Sequence, residues 1–150
     1  MMKRTIFVTA VISTVFAAAV AAAPKPADVI HYRQSLMTVI GWNFGSMVAM
    51  VKGDKPWDTK EFAKRANQLA SLAPQALEGF SKGSDKGAKT RAKEDIWTNF
   101  KDFRSKYDNL VKQTGMLASV SAGGDKAKMI EQFKHTAAAC KACHKKYKAK

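Results

Sequence analysis

The sequence predicts an all-α protein, an antiparallel four-helix bundle. Three observations predict it. No alternating β-branched run, the signature of a strand, occurs after residue 23. Apolar residues recur instead at alternating steps of three and four. Short polar turns separate these periodic stretches, which suits helices of roughly 20–25 residues joined end to end.

In the first helix, Ile30, Met37, Ile40, Phe44, Met47 and Val51 form one stripe, interrupted by Arg33. Val29, Tyr32, Leu36 and Val39 form a second stripe beside it. So wide an apolar face exceeds what one bundle seam needs. Half of it packs against a second subunit, in a homodimer through the first and second helices, or the whole helix is buried in its own monomer. Gly53-Asp54-Lys55-Pro56 is a turn. The second helix opens with a capping box, Asp58 and Glu61, flanked by a Trp57/Phe62 staple. Its stripe runs Phe62, Ala66, Leu69, Ala73, Ala76, Phe80, and Pro74 should kink or interrupt it, having no amide to donate. Residues 81–93 hold five basic residues, one acidic residue and no large apolar one. They read as a solvated, mobile crossover. In the third helix Ile96, Phe100, Phe103, Tyr107, Leu110, Thr114 and Leu117 make a single stripe. Asp125 caps the last, whose stripe is Ile130, Phe133, Ala137, Cys140, His144 and Tyr147.

The chain has 150 residues, which suits one domain. At 46% hydrophobic and 25% charged it has a globular composition. Its formal net charge is +14. Lys3 and Arg4, an apolar run from Ile6 to Val20 and Ala21-Ala22-Ala23 read as a signal peptide over 1–23. The run is short for a membrane span. The mature domain is then 24–150, without a membrane span. Losing two basic residues and no acidic one lowers the charge to +12. Export implies an oxidising compartment, most simply a periplasm, where nucleic acid is not the expected partner.

The chemistry sits in Cys140-Lys141-Ala142-Cys143-His144, which reads C-x-x-C-H, the attachment pattern of c-type haem. On a helix, residues three apart share a face, so both thiols reach the two vinyl groups of one porphyrin edge. His144 follows as proximal iron ligand. The alternatives are weaker. Zinc needs four ligands, and His135 lies roughly 13 Å of helix rise from His144. A thioredoxin-type pair needs a βαβ context. A disulfide in a basic helical binding module leaves His144 unexplained. Arg33 breaks an apolar stripe, and a buried guanidinium wants an anionic partner, which a haem propionate supplies, with Gln34 helping.

A C-x-x-C-H on the last helix of an exported four-helix bundle of this size resembles the cytochromes c prime, the class II c-type cytochromes. The resemblance runs from Tyr32-Arg33-Gln34-Ser35-Leu36-Met37 through Cys140–His144. It implies one covalent haem c per chain, with Phe80 and Phe103 lining the haem cavity. It places Met37 where the family carries an apolar lid that covers the iron without bonding it. Related low-spin proteins have a ligating methionine there. Lys148 stands where the family usually has Arg. The expected function is binding of nitric oxide and carbon monoxide at five-coordinate iron, with a part in nitric oxide protection. The alternative is an electron-transfer cytochrome, six-coordinate through Met37, whose acidic redox partner is steered by Lys141, Lys145, Lys146, Lys148 and Lys150. No acid–base or nucleophilic constellation points to an enzyme.

Overall fold

The computed structural model describes residues 23–150, so the segment read as a signal peptide lies, Ala23 apart, outside the described residues. Helix α1 spans Pro26–Lys52 and α2 spans Thr59–Ala76, running on into a 3₁₀ segment, Leu77–Phe80. A short α3, Asp95–Thr98, precedes α4, Phe100–Ala122, and α5 spans Lys126–Tyr147. The four long helices form the expected bundle. Helix α1 packs on α2, α2 on α4, and α4 on α5. Side chains of α1 and α5 close the ring where Phe44 stacks on Phe133, ring centroids 4.6 Å apart.

Local sequence explains the boundaries. Asp58 caps α2 by accepting the amide of Glu61 at 3.0 Å, and Trp57 stacks on Phe62. Only half of the capping box forms, because the Glu61 carboxylate turns to Lys55, Ser46 and Arg65. Asp125 accepts the amides of Ala127 and Lys128 and so starts α5. Pro74 lies inside the last turn of α2, three residues before the 3₁₀ segment begins at Leu77. Gly53 ends α1 at φ 83°, a conformation that costs glycine little.

Three details depart from the sequence reading. The third helix is broken at Asn99 (φ −119°, ψ 41°), so Phe100 turns outward and is 40% exposed. Met50, which lies off the sequence stripe, is buried with Met47, Phe62, Leu117 and Phe133 in the core at the α1–α2 turn end. In α1 the second stripe splits: Val29 is buried, while Tyr32 and Val39 are exposed. Deep burial within the monomer therefore does not account for that face.

The crossover is not a free loop. Arg33, only 2% exposed, donates from Nη1 to the carbonyls of Gly79 (3.0 Å) and Ser84 (2.6 Å) and to Ser84 Oγ (3.1 Å). Its Nη2 reaches Thr90 Oγ1 at 2.9 Å. Gln34 donates to the Lys89 carbonyl at 2.8 Å. At the far end Ala92 pairs with Lys148 in an antiparallel bridge. Composition suggested mobility because none of these partners is local in sequence.

Where α1 crosses the 3₁₀ segment, the absence of a side chain at Gly79 is required. A Cβ there would collide with Arg33 Cβ and lie 3.0 Å from Arg33 Cα. Gly79→Ala should therefore cost about 1–3 kcal/mol in denaturant unfolding, the usual range for overpacking. Gly115→Ala, on an open face of α4, should be neutral or stabilising.

Candidate functional site

The buried residues of α5 are Met129, Gln132, Phe133, Thr136, Ala139, Cys143 and Tyr147. This stripe is offset by about one residue from the sequence expectation. Each helical residue turns by roughly 100°, so His144 sits beside the buried stripe rather than in it, and it is exposed. Cys143 is 9% exposed, and Cys140, three residues back, is half-buried on the same face.

Cys143 belongs to a second apolar cluster with Phe80, Ile96, Phe103, Tyr107 and Tyr147. Leu36, Met37 and Ile40 of α1 pack against it. Phe103 is its hub. It lies 4.8 Å from Phe80, 5.7 Å from Tyr107 and 5.3 Å from Tyr147, centroid to centroid, the last edge-on at 89°. The Tyr107 hydroxyl donates to the Ala73 carbonyl at 2.8 Å, which pays its polar debt inside the core. The fold thus brings Met37, Phe80, Phe103 and Cys143 together. Arg33 borders them, its guanidinium 5.3 Å from the ring centres of both Phe80 and Trp97. Gln34 is exposed and turned to the crossover.

The Arg33 surroundings correct one argument. Carbonyls, hydroxyls and two aromatic faces satisfy the guanidinium, so burial does not itself demand a carboxylate. Burial lowers its pKa and the charge of Asp85 opposes that.

Both cysteines are free thiols. Burial, then the neighbouring Cys143, pushes Cys140 up to about 11. Burial likewise raises Cys143, and Lys106 works against it. Although the residue as a whole is exposed, partial desolvation of its imidazole by the neighbouring protein lowers His144 first, and the cations of Lys148 and Arg91 lower it further. The imidazole is thereby kept neutral, the form that ligates a metal. Two unpaired thiols three apart on one helical face, with a neutral imidazole next in sequence, are the donor set that covalent haem requires. Among the described residues no three His, Cys, Asp or Glu side chains gather as a metal site.

A sequence profile of the family described as Cytochrome C' matches residues 28–148. The chain belongs to the cytochrome c' family. It is 36% identical over 130 residues to the cytochrome c' of Halomonas halodenitrificans, an alignment covering 83% of this chain and 98% of that one. Its fold superposes on cytochrome c prime from Shewanella frigidimarina with TM-score 0.82 at 40% identity, covering 86% of this chain and 100% of the other. A third similar structure is the nitric oxide complex of a leucine-to-alanine variant of cytochrome c prime from Alcaligenes xylosoxidans. It has TM-score 0.78 at 30% identity, with 86% of this chain and 99% of that one covered. Cytochrome c' proteins are periplasmic, non-enzymatic haem proteins, and membership implies covalent haem c.

Several residues of this cytochrome c' site escaped sequence reasoning. Tyr107 lies in the α4 stripe but reads as plain core; its place four residues after Phe103 is the only local hint. Trp97, half-buried, donates from Nε1 to the Ser81 carbonyl and closes the crossover side. Asp102 binds the last turn of α5 to α4. It accepts Tyr147 Oη at 2.5 Å and Lys146 Nζ at 2.9 Å, with Lys106 at 3.5 Å. Lys146 is therefore paired, unlike Lys141, Lys145 and Lys148, which the sequence grouped with it.

These hydrogen bonds, that of Tyr147 first, hold the Asp102 carboxyl down to about 2, from an ordinary 3.8. Folded below unfolded, the carboxylate stabilises the native state above pH 3.8, and this contribution is lost as pH falls toward 2. An NMR titration should find Asp102 still ionised at pH 3. Tyr147→Phe should move its midpoint upward, and an unchanged midpoint would show that the hydroxyl does not hold it.

Proposed function

We propose that this chain is an exported haem protein that binds nitric oxide and carbon monoxide and contributes to protection against nitric oxide. Residues 1–23 serve as the signal peptide and 24–150 as the periplasmic domain. One haem c per chain is attached through Cys140 and Cys143, with His144 as proximal ligand. The observation that carries this reading is the free thiol pair on one helical face, beside a neutral imidazole and against an aromatic wall. Haem held there supplies the iron at which a diatomic gas binds.

The remaining roles follow from what the side chains offer. Phe80 and Phe103 give flat apolar faces suited to a macrocycle. Met37, with Leu36 and Ile40, forms the α1 wall of the same cluster. None of the three carries a hydrogen-bond donor, so a ligand that needs one, such as dioxygen, is disfavoured, while nitric oxide and carbon monoxide are not. A similar protein with bound nitric oxide supports the same choice. Arg33 has no carboxylate partner among the described residues, so its charge, at the edge of the Phe80 ring, would favour a propionate electrostatically, with Gln34 next in sequence, although its terminal nitrogens are engaged by the crossover. Tyr32, Val39 and Trp42, the last 74% exposed, support a homodimer through α1 and α2.

The second reading is electron transfer with Met37 as sixth ligand and an acidic redox protein as partner. Its support is that the Met37 thioether packs against the Cys143 cluster.

A visible spectrum of the purified protein decides first whether haem is present, and its ferrous form separates the two readings. We expect a high-spin, five-coordinate spectrum, and faster nitric oxide binding in Met37→Ala as the lid is trimmed. A low-spin six-coordinate spectrum that Met37→Ala abolishes would establish the second reading instead. For the dimer, Trp42→Glu should shift sedimentation from dimer to monomer without loss of helicity.

A further inference from the structure

The cations of the crossover and of the last helix are separate in sequence, and the fold makes them one surface. Ala92 bridges to Lys148, the Lys93 amide donates to the Tyr147 carbonyl at 3.0 Å, and the Ala149 amide donates to the Arg91 carbonyl at 2.8 Å. Arg91 then returns both Nε and Nη2 to the Ala149 carbonyl, at 3.1 and 3.0 Å. Along α5, Lys141 and Lys145 follow at a four-residue step, and Lys148 caps the helix three further on. All three are exposed, as is His144 beside them. The result is a basic plate held by backbone hydrogen bonds, next to the turn that carries the two thiols.

The plate is electrostatically unbalanced. Lys89, Arg91, Lys141, Lys145 and Lys148 have no acidic partner within ion-pair distance among the described residues. Lys146 differs, being engaged by Asp102. Crowded like charges repel one another, and an anionic partner relieves that. Tyr32, Val39 and Trp42 belong to α1 and Phe100 and Met116 to α4, so the segments that form the plate, 89–93 and 141–149, carry no exposed large apolar side chain. A basic element that beds into a lipid surface usually pairs its charges with such apolar anchors. A rigid, purely charged face instead suits fixed carboxylates on a folded protein.

We propose that this composite plate, Lys141, Lys145 and Lys148 together with Lys89 and Arg91 of the crossover, docks an acidic one-electron carrier protein that reduces the haem. The inference rests on the haem reading above, and gas binding at ferrous iron needs such an electron as much as electron transfer does. One electron leaves the reduced cofactor of the carrier and enters ferric iron, giving ferrous iron and a carrier oxidised by one electron. No bond or proton need move.

The test uses the haem-loaded protein and a plant-type ferredoxin as the acidic probe. Its absorption spectrum reports the haem reading independently of docking. In 10–20 mM salt, oxidised ferredoxin should shift amide NMR signals of 89–93 and 141–149 together, with the shifts lost at about 0.5 M salt. The double variant Lys141→Glu/Lys145→Glu should weaken binding, and slow reduction by reduced ferredoxin, by about tenfold. Lys89→Glu, on the crossover, should weaken both several-fold, whereas Lys64→Glu, far off on α2, should change neither. Reduction by a neutral photoreduced flavin should be unaltered in all of them. The proposal is overturned if Lys89→Glu behaves like Lys64→Glu, or if binding is insensitive to salt. It is equally overturned if the plate binds vesicles of anionic lipid and the variants abolish that while leaving ferredoxin binding intact.

Discussion

A guanidinium buried against the flank of a helix has to find hydrogen-bond acceptors, and in this bundle Arg33 finds them on segments that would otherwise be loose. The carbonyls of Gly79 and Ser84 and the hydroxyl of Thr90 come from the 3₁₀ end of α2 and from the crossover. Leaving such a group unsatisfied would cost several kcal/mol, so the crossover must follow the path that supplies the acceptors. Its close approach is possible because Gly79 has no side chain. The ring of Phe80 is set by the same contact, since the guanidinium lies over it. Phe80 in turn meets Phe103, and through Phe103 the aromatic wall reaches Tyr147 on α5.

The bundle is therefore divided along its length. One end, around Met47, Phe62 and Phe133, is an ordinary side-chain core in which helices interlock directly. The other is a packed aromatic cluster around Cys143, flanked by the flexible Met37. Methionine and aromatic faces adapt to a planar guest more easily than branched aliphatic side chains do. Around the thiols the electrostatics are also divided. Burial favours the protonated form of both sulfurs, while partial desolvation, and after it the cations of Lys148 and Arg91, favours the neutral imidazole. The last turn of α5 is held in place by Asp102, which ties it to α4 through Tyr147 and Lys146.

Much of the bundle was legible in the sequence because helix periodicity and capping are local. Asp58 and Asp125 act where their positions say they should, and four stripes give four helices. The C-x-x-C-H motif was legible for the same reason, its chemistry being confined to five residues. What the sequence did not disclose depends on contacts between distant segments. The registry of α5, which exposes His144, is set by packing against α4 and not by the pattern of α5 alone. The break at Asn99 follows from a backbone angle that no nearby residue announces. The crossover looked mobile because a run of Lys, Gly, Ser and Thr is indistinguishable from linker until Arg33, Gln34 and the 147–149 backbone are placed beside it. Arg33 itself reads as an oddity in an apolar stripe, and its role as the crossover's anchor appears only in three dimensions.

The pinned crossover also bears on how the molecule withstands proteases. Five lysines and arginines in thirteen residues are a substrate for any trypsin-like protease, and cleavage needs the chain to open locally into the protease cleft. Residues 89–93 cannot open singly. Freeing them breaks the contacts of Arg33 and Gln34 and the pairing with 147–149 at once. Their vulnerability is thus coupled to loosening of the end of α5, the helix that carries Cys140 and Cys143. Loosening the α5 end should therefore expose Lys89, Arg91 and Lys93 to cleavage together, so the same few hydrogen bonds protect both segments at once.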